Sequence, residues 1–366
     1  MFPYSPRHLE RRVAYRKVNE AMTHTDASEF SCGHRETIHH ESGLRALPLG
    51  ESTQLHVPAP PGFTIRFDDD GMLERQFMDS VRAALASIEH KIGHSFANPR
   101  NPLLVAVRSA REVRLARGNR GILNVGLNDE IVESLIALTN NPRFVYDCYR
   151  RFLVRFSCET MSTVTRPLSW QMFESIRENL KAALGVMSDS LLGASDLKRL
   201  CNEYKCLIRE CTGKSVPENP MAQLEMAAIA AAGGSQENAG VIVQSMVFGN
   251  LGENCGAGVA WSQNPTTGVR EDGGMFLENA QGDDLRSRGR VPCQLGKIES
   301  SSREIGRQLR RVRSSFQRYY GDDYVFDFTL EHGTVYVLGF SSAPLSTVYS
   351  CSGSQWQALE GSLKAA

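Results

Sequence analysis

The chain has 366 residues with 41 basic and 41 acidic side chains, 41% hydrophobic and 22% charged, an ordinary globular composition. That balance excludes a disordered chain, a collagen-like fibre and a stand-alone basic tail, and the length allows roughly two to three compact units. No run of about 18 apolar residues occurs, which excludes a membrane-spanning helix and makes a membrane partner unexpected.

Neutrality hides two skews. The basic residues divide into 33 Arg and 8 Lys, and Arg grips phosphate or carboxylate through a planar fork. Nine cysteines, an odd number with no C-x-x-C pair, fit a reducing compartment and not a secreted disulfide framework.

In chain order, residues 1–50 carry Arg7, Arg11, Arg12, Arg16 and Lys17 with only Glu10 against them before Glu20. This acid-poor stretch reads as a mitochondrial import segment or as a solvated extension of a cytoplasmic chain. Cys32, His34, His39 and His40 are metal-capable but lack the paired spacing of a zinc site. PAPPGF at 58–63 is a rigid turn into a short strand. A helix follows, with Leu73, Phe77, Val81, Ala84, Leu85, Ile88 and Ile92 on its apolar stripe. Residues 103–107 read as a buried strand, 131–138 and 144–156 as helices, and further helices run to Ala232. Within these, Cys201 and Cys211 fall on an apolar helical face and read as core filler. After Gly233-Gly234 the texture turns to strand at 241–248. A glycine-rich loop over 252–261 returns into strand, and 327–338 is a hairpin around His332-Gly333. A helical first half and a sheet-rich second half predict a two-lobed α+β protein.

A series of segments then carries a resemblance. They are PAPPGF at 58–63, NPLLVAVRS at 101–109, ILNVGLND at 122–129, NPRFVYD at 141–147 and QSMVFGN at 244–250. GAGVA at 256–260 leads to Asn264-Pro265, and NAQGDD at 279–284 and FDFTLE at 326–331 follow. In this order they resemble the N-terminal nucleotide-binding, ATP-grasp part of pyruvate phosphate dikinase and the related phosphoenolpyruvate synthase and glucan water dikinase. The resemblance implies an α+β, ATP-grasp-like two-lobed fold with a helical insertion. Its parts would be an N-terminal extension at 1–50, a first lobe at 51–240, a second lobe at 241–345 and a tail at 346–366. It also implies ATP and Mg between the lobes. Gln244, Met246 and Val247 would face adenine, Arg108 would reach phosphate, and Gly256 and Gly258 would let backbone amides approach phosphate oxygens. Gln281 and Asp327 would complete the nucleotide site, with Asp327 the remaining metal ligand.

The departures from that family fall where its chemistry would be. No Gly-Gly-Lys-Gly segment precedes Pro58. The family's Ser-Met-Pro-Gly-Met-Met-Asp-Thr loop is replaced by RLARGNRG at 114–121. The family's Asp-x-Glu-Phe becomes Val325 and Asp327, and its Gln-Thr-Arg becomes Gly339-Phe340-Ser341. The phosphoacceptor histidine domain and the pyruvate barrel are not expected in these residues, and pyruvate is not expected to bind. Phosphoryl transfer needs metal held by acids and cations on the transferred group. The expectation is therefore a degenerate member with no catalytic residues. It would be reused as a structural or assembly subunit of a larger complex, such as a mitochondrial ribonucleoprotein. The alternatives are an ATP-dependent phosphotransferase acting with a separate phosphohistidine domain, or a nucleotide sensor.

Two arginine arrays suggest a partner. Arg108, Arg111, Arg114, Arg117 and Arg120 recur every third residue, a continuous ridge on an extended chain. Residues 286–318 hold nine Arg and Lys297 against Glu299 and Glu304, and Arg303, Arg307, Arg310 and Arg311 lie opposite Ile305, Leu309, Val312 and Phe316 on a helix. RNA or an acidic protein is the expected partner, against the plain alternative of solvated faces.

Overall fold

A computed structural model describes residues 22–24, 45–46, 55–66, 75–109, 121–232, 240–264, 269–286, 290–321 and 324–341. The mixed helix-and-sheet architecture matches the expected α+β fold. Arg111, Arg114, Arg117 and Arg120, Cys32, His34, His39 and His40, the basic run at 7–17 and the tail at 346–366, for which the sequence raised expectations, lie outside the described residues.

Two antiparallel sheets form the frame. The first orders β1 (Met22–His24), β3 (Gly62–Arg66), β8 (Gly240–Ser245), β6 (Val105–Ser109) and β7 (Ile122–Val125). The second orders β11 (Cys293–Gln294), β10 (Arg270–Glu278), β9 (Gly256–Gln263), β12 (Val325–Glu331), β13 (Thr334–Ser341) and β2 (Arg45–Ala46). A short parallel pair, β4 (Ser95–Phe96) and β5 (Pro102–Leu103), precedes β6. The hairpin between β12 and β13 turns at His332 and Gly333 with φ of 48° and 81°, the pair of positive values that matches the strands' own twist.

One face of the first sheet lies under helices α1 (Arg75–Ile92), α2 (Asp129–Thr139), α3 (Pro142–Thr160), α4 (Trp170–Leu184), α5 (Ala194–Thr212) and α6 (Pro220–Ala232). Phe63, Val105, Val107 and Val243 meet Phe144, Phe152, Phe156 and Tyr204 there in one continuous core. Local chemistry sets the helix limits. Asn128 accepts from the Ile131 N–H to start α2, Asn140 ends it in a left-handed conformation, and Asn141 with Pro142 starts α3. Cys201 is buried and Cys211 packs against the same core, as the helical period implies.

The second sheet has its own core. Helices α7 (Leu295–Ser301) and α8 (Arg303–Tyr320) press Leu295, Leu309, Val312 and Phe316 onto Phe276, Phe326, Phe328, Val337 and Phe340.

Three elements differ from the sequence reading. β8, which the cut at residue 240 assigned to the second lobe, is hydrogen-bonded between β3 and β6 in the first sheet. It also ends at Ser245 instead of running to Phe248, and the Met246 N–H makes one last in-register bond, to the Leu104 carbonyl at 2.9 Å. That carbonyl sits at the break dividing the expected strand at 103–107 into β5 and β6. In the first fifty residues, expected to be an extension outside the lobes, β1 pairs with β3 and β2 with β13.

Candidate site between the two sheets

Each sheet covers one face with helices and leaves the other toward its neighbour. Phe63, Ile65, Val105, Val107, Val241 and Val243 enter the helical core. Strand alternation therefore puts Thr64, Ala106, Arg108, Ile242 and Gln244 on the opposite face, in cross-strand register. In the second sheet Phe326, Phe328 and Leu330 face α8, so Val325, Asp327 and Thr329 share the other face with Trp261, Val259 and Ala257 of β9. Two bonds join these faces, whose side chains are mostly buried. Arg108 Nη1 donates to the Leu338 carbonyl at 3.3 Å, where β13 bulges, and the Val337 N–H donates to the Pro58 carbonyl at 2.8 Å.

Gln244 carries the clearest ligand signal. Its side chain is buried, and Nε2 donates to the Pro60 carbonyl at 3.3 Å, which fixes the amide's orientation. Oε1 has no hydrogen-bond partner among the described residues. A buried orphan acceptor costs about 1–3 kcal/mol, a penalty that a donor arriving between the sheets would remove.

The other expected contacts sort differently. Met246 packs onto the helical core of the first sheet, and Val247 lies past the end of β8, so neither continues the strand face on which Gln244 sits. Gly256 and Gly258 are interior to β9, paired with β10 on one side and β12 on the other. Their amides belong to a central strand, not to a phosphate loop. Glycine is required there because a Cβ at Gly256 would overlap the Phe276 ring and one at Gly258 the Phe328 ring.

Gln281 is also committed elsewhere. It is buried in a polar network that ties α3 to the loops flanking β9 and β10. Asp147 Oδ1 accepts from Arg150 Nε at 2.8 Å, and Oδ2 accepts from Arg151 Nε at 3.0 Å and Asn250 Nδ2 at 2.8 Å. Arg151 Nη2 reaches the Asp284 carboxylate at 2.9 Å, and Gln281 Nε2 donates to Asn250 Oδ1 at 3.1 Å. Burial alone would raise the pKa of Asp147, but the guanidiniums of Arg150 and Arg151 and the Asn250 amide outweigh it and hold the carboxyl well below its ordinary range. The adjacent Cys148 thiol is pushed up by burial and then by Asp147, so it stays protonated. A second link missed by the sequence reading is the Phe248 N–H donating to Glu331 Oε1 at 2.7 Å, and burial raises that carboxyl's pKa.

The family model for the pyruvate phosphate dikinase AMP/ATP-binding domain matches residues 69–308. The chain belongs to this family. It is 33% identical over 338 residues to a pyruvate, phosphate dikinase of Clostridium symbiosum, covering 84% of this chain and 38% of the relative. To the Giardia intestinalis enzyme it is 33% identical over 323 residues, 81% of this chain and 36% of the relative. To pyruvate, phosphate dikinase 2 of Oryza sativa it is 32% identical over 318 residues, with 81% and 35% covered. The chain thus spans little more than a third of the length of these dikinases.

Within the family frame, the segments that carried the resemblance hold the Asp147 network together: Asp147 comes from one, Asn250 from a second, Gln281 and Asp284 from a third. The polar groups on these two faces that suit an adenine nucleotide are the orphaned Gln244 acceptor, the Arg108 guanidinium and the buried Thr329. A two-carboxylate magnesium site does not fit. Val325 and Asp327, two residues apart, share one face of β12, and the first is apolar and buried. Glu331 lies four residues further along that strand, about 13 Å from Asp327 at strand rise, too far to share one cation with it. Among the described residues no cluster of three or more His, Cys, Asp and Glu could hold a metal, and no helix is long and apolar enough to cross a membrane.

Proposed function

We propose that this chain binds an adenine nucleotide between its two sheets without transferring a phosphoryl group, as a binding subunit of a larger assembly. The observation that carries the reading is Val325 beside Asp327. A cation held by two strand carboxylates neutralises the transferred phosphoryl in this type of chemistry, and an apolar side chain fills one of those places. Gly339 and Ser341, standing where the family's Gln and Arg are expected, argue in the same direction. The orphaned acceptor of Gln244 and the cation of Arg108 support binding itself.

The test is isothermal titration of the chain with ATP, with and without magnesium, beside a γ-phosphate turnover assay. Saturable binding that Gln244→Leu weakens, with turnover at background, is the expected result. Turnover that Asp327→Ala abolishes would replace this reading by the second one, an ATP-dependent phosphotransferase half such as the names of its dikinase relatives describe. Retained Arg108 and Asp327 favour that alternative.

A further inference from the structure

Helix α8 segregates its charge as no other described helix does. Arg303, Arg307, Arg310, Arg311 and Arg318 are all exposed. At 3.6 residues per turn they fall within an arc of about 100°, and at 1.5 Å per residue they span about 22 Å. The opposite side holds Ile305, Leu309, Val312 and Phe316 in the core. Arg307 pairs with Glu304 at 2.5 Å, the one acid in the helix. Arg303, Arg310, Arg311 and Arg318 make no ion pair among the described residues.

Elsewhere this protein uses arginine differently. Arg155 pairs with Glu159, Arg177 with Glu174 and Arg199 with Glu203, each within one helical turn. Arg313 on α8 itself turns inward to Glu299 at 2.6 Å. These arginines find carboxylates, whereas four of the five on the outer arc of α8 do not among the described residues.

We propose that this arc is a docking ridge for the phosphate backbone of a nucleic acid strand. The only other side chain on the arc is Ser314. Protein interfaces combine arginine with an apolar or aromatic core, and the arc offers the arginines without that core. Reading adenine or cytosine at a base edge takes amide or carboxylate side chains, and arginine's own base contact is to guanine; the arc holds no amide or carboxylate. What remains is five guanidiniums, each suited to a phosphate's two oxygens. Consecutive phosphates of an extended single strand lie about two duplex rises apart, roughly 7 Å, so about 22 Å meets about four of them, one for each unpaired arginine. The ridge binds by charge neutralisation, without sequence preference, and independently of the nucleotide site.

The experiment is fluorescence anisotropy of a labelled 20-nucleotide oligouridylate against the full chain, between 50 and 200 mM salt. Four phosphate contacts by the unpaired arginines predict a log–log slope near −3, so that this fourfold salt increase weakens binding about 50-fold. Replacing them together, Arg303→Gln, Arg310→Gln, Arg311→Gln and Arg318→Gln, should lower affinity at least about tenfold and flatten the slope by about 3, with the melting temperature unchanged. An oligodeoxythymidylate of the same length should bind within a few-fold of the RNA. Unchanged affinity and slope in the variant would overturn the ridge. So would polyglutamate of equal charge binding the unmodified chain more tightly than the RNA, which would assign the face to an acidic protein. Should the quadruple variant melt early, the salt slope of the unmodified chain and the double variant Arg310→Gln/Arg311→Gln, expected to flatten it by about 1.4, decide the matter.

Discussion

Replacing Asp147 by Ala removes the hub of the network that ties α3 to the loops around the second sheet. The carboxylate is buried and accepts four contacts, from Arg150 Nε at 2.8 Å and Nη2 at 2.6 Å, Arg151 Nε at 3.0 Å and Asn250 Nδ2 at 2.8 Å. Removing one partner of a buried ion pair costs about 3–5 kcal/mol, because the remaining charge is left uncompensated. Here Arg150 keeps Asp189 at 3.2 Å and Arg151 keeps Asp284 at 2.9 Å, so the lower end, about 3 kcal/mol, is expected. The control is Glu159→Ala, which breaks the more exposed pair with Arg155 and should cost under about 1 kcal/mol. Urea unfolding read by far-ultraviolet circular dichroism compares the two through the midpoint at constant slope.

The pH arm has a definite sign. A carboxyl whose folded pKa is depressed contributes stability that is fully present above its unfolded value, about 3.9, and is lost as pH falls through the folded value. The gap between the unmodified chain and Asp147→Ala should therefore be constant from pH 7 to about pH 4 and narrow below it. A loss no larger than that of Glu159→Ala, or a gap already closed at about pH 5, would refute the account of a buried, doubly paired carboxylate.

Gly258→Ala should destabilise by about 1–3 kcal/mol through overpacking, since the new methyl meets the Phe328 ring, itself stacked on Phe276. Adding Phe328→Leu should cost less in that background than in the unmodified chain, and a purely additive double-mutant cycle would contradict the contact. Glu331 has the opposite sign to Asp147. Burial raises its pKa, so its charge weakens the fold above the ordinary carboxylate range and protonation relieves the cost. Glu331→Gln, which keeps an acceptor for the Phe248 N–H, should raise the melting temperature at pH 7 and change little near pH 4. A lower melting temperature at pH 7 would mean that the charge itself is needed there.

Much of the architecture was legible because it rests on local rules. The apolar periods of α1 and α8, the helix read at 144–156 and the His332-Gly333 turn each depend on residues within a few turns of one another. The ordered segments made the family legible as well. Their roles were not, because a motif records which residues recur and not which way they face. Asn250 and Gln281 lie inside the quoted segments, yet their amides meet only when two loops come together against α3. Gly256 and Gly258 had a glycine-loop spacing that pairing on both sides of β9 reassigned to packing against aromatic rings.

The amino-acid sequence by itself determined the α+β class, the family and the outward arginine face of α8, because helical period and residue order along one chain suffice for each. Tertiary structure decided that β8 belongs to the first sheet, that Asp147 is the buried hub, and that Gln244 presents an orphaned acceptor between the sheets. Those outcomes depend on hydrogen bonds and burial between residues as many as 184 positions apart, where desolvation and strand register select the partner and no local pattern encodes it.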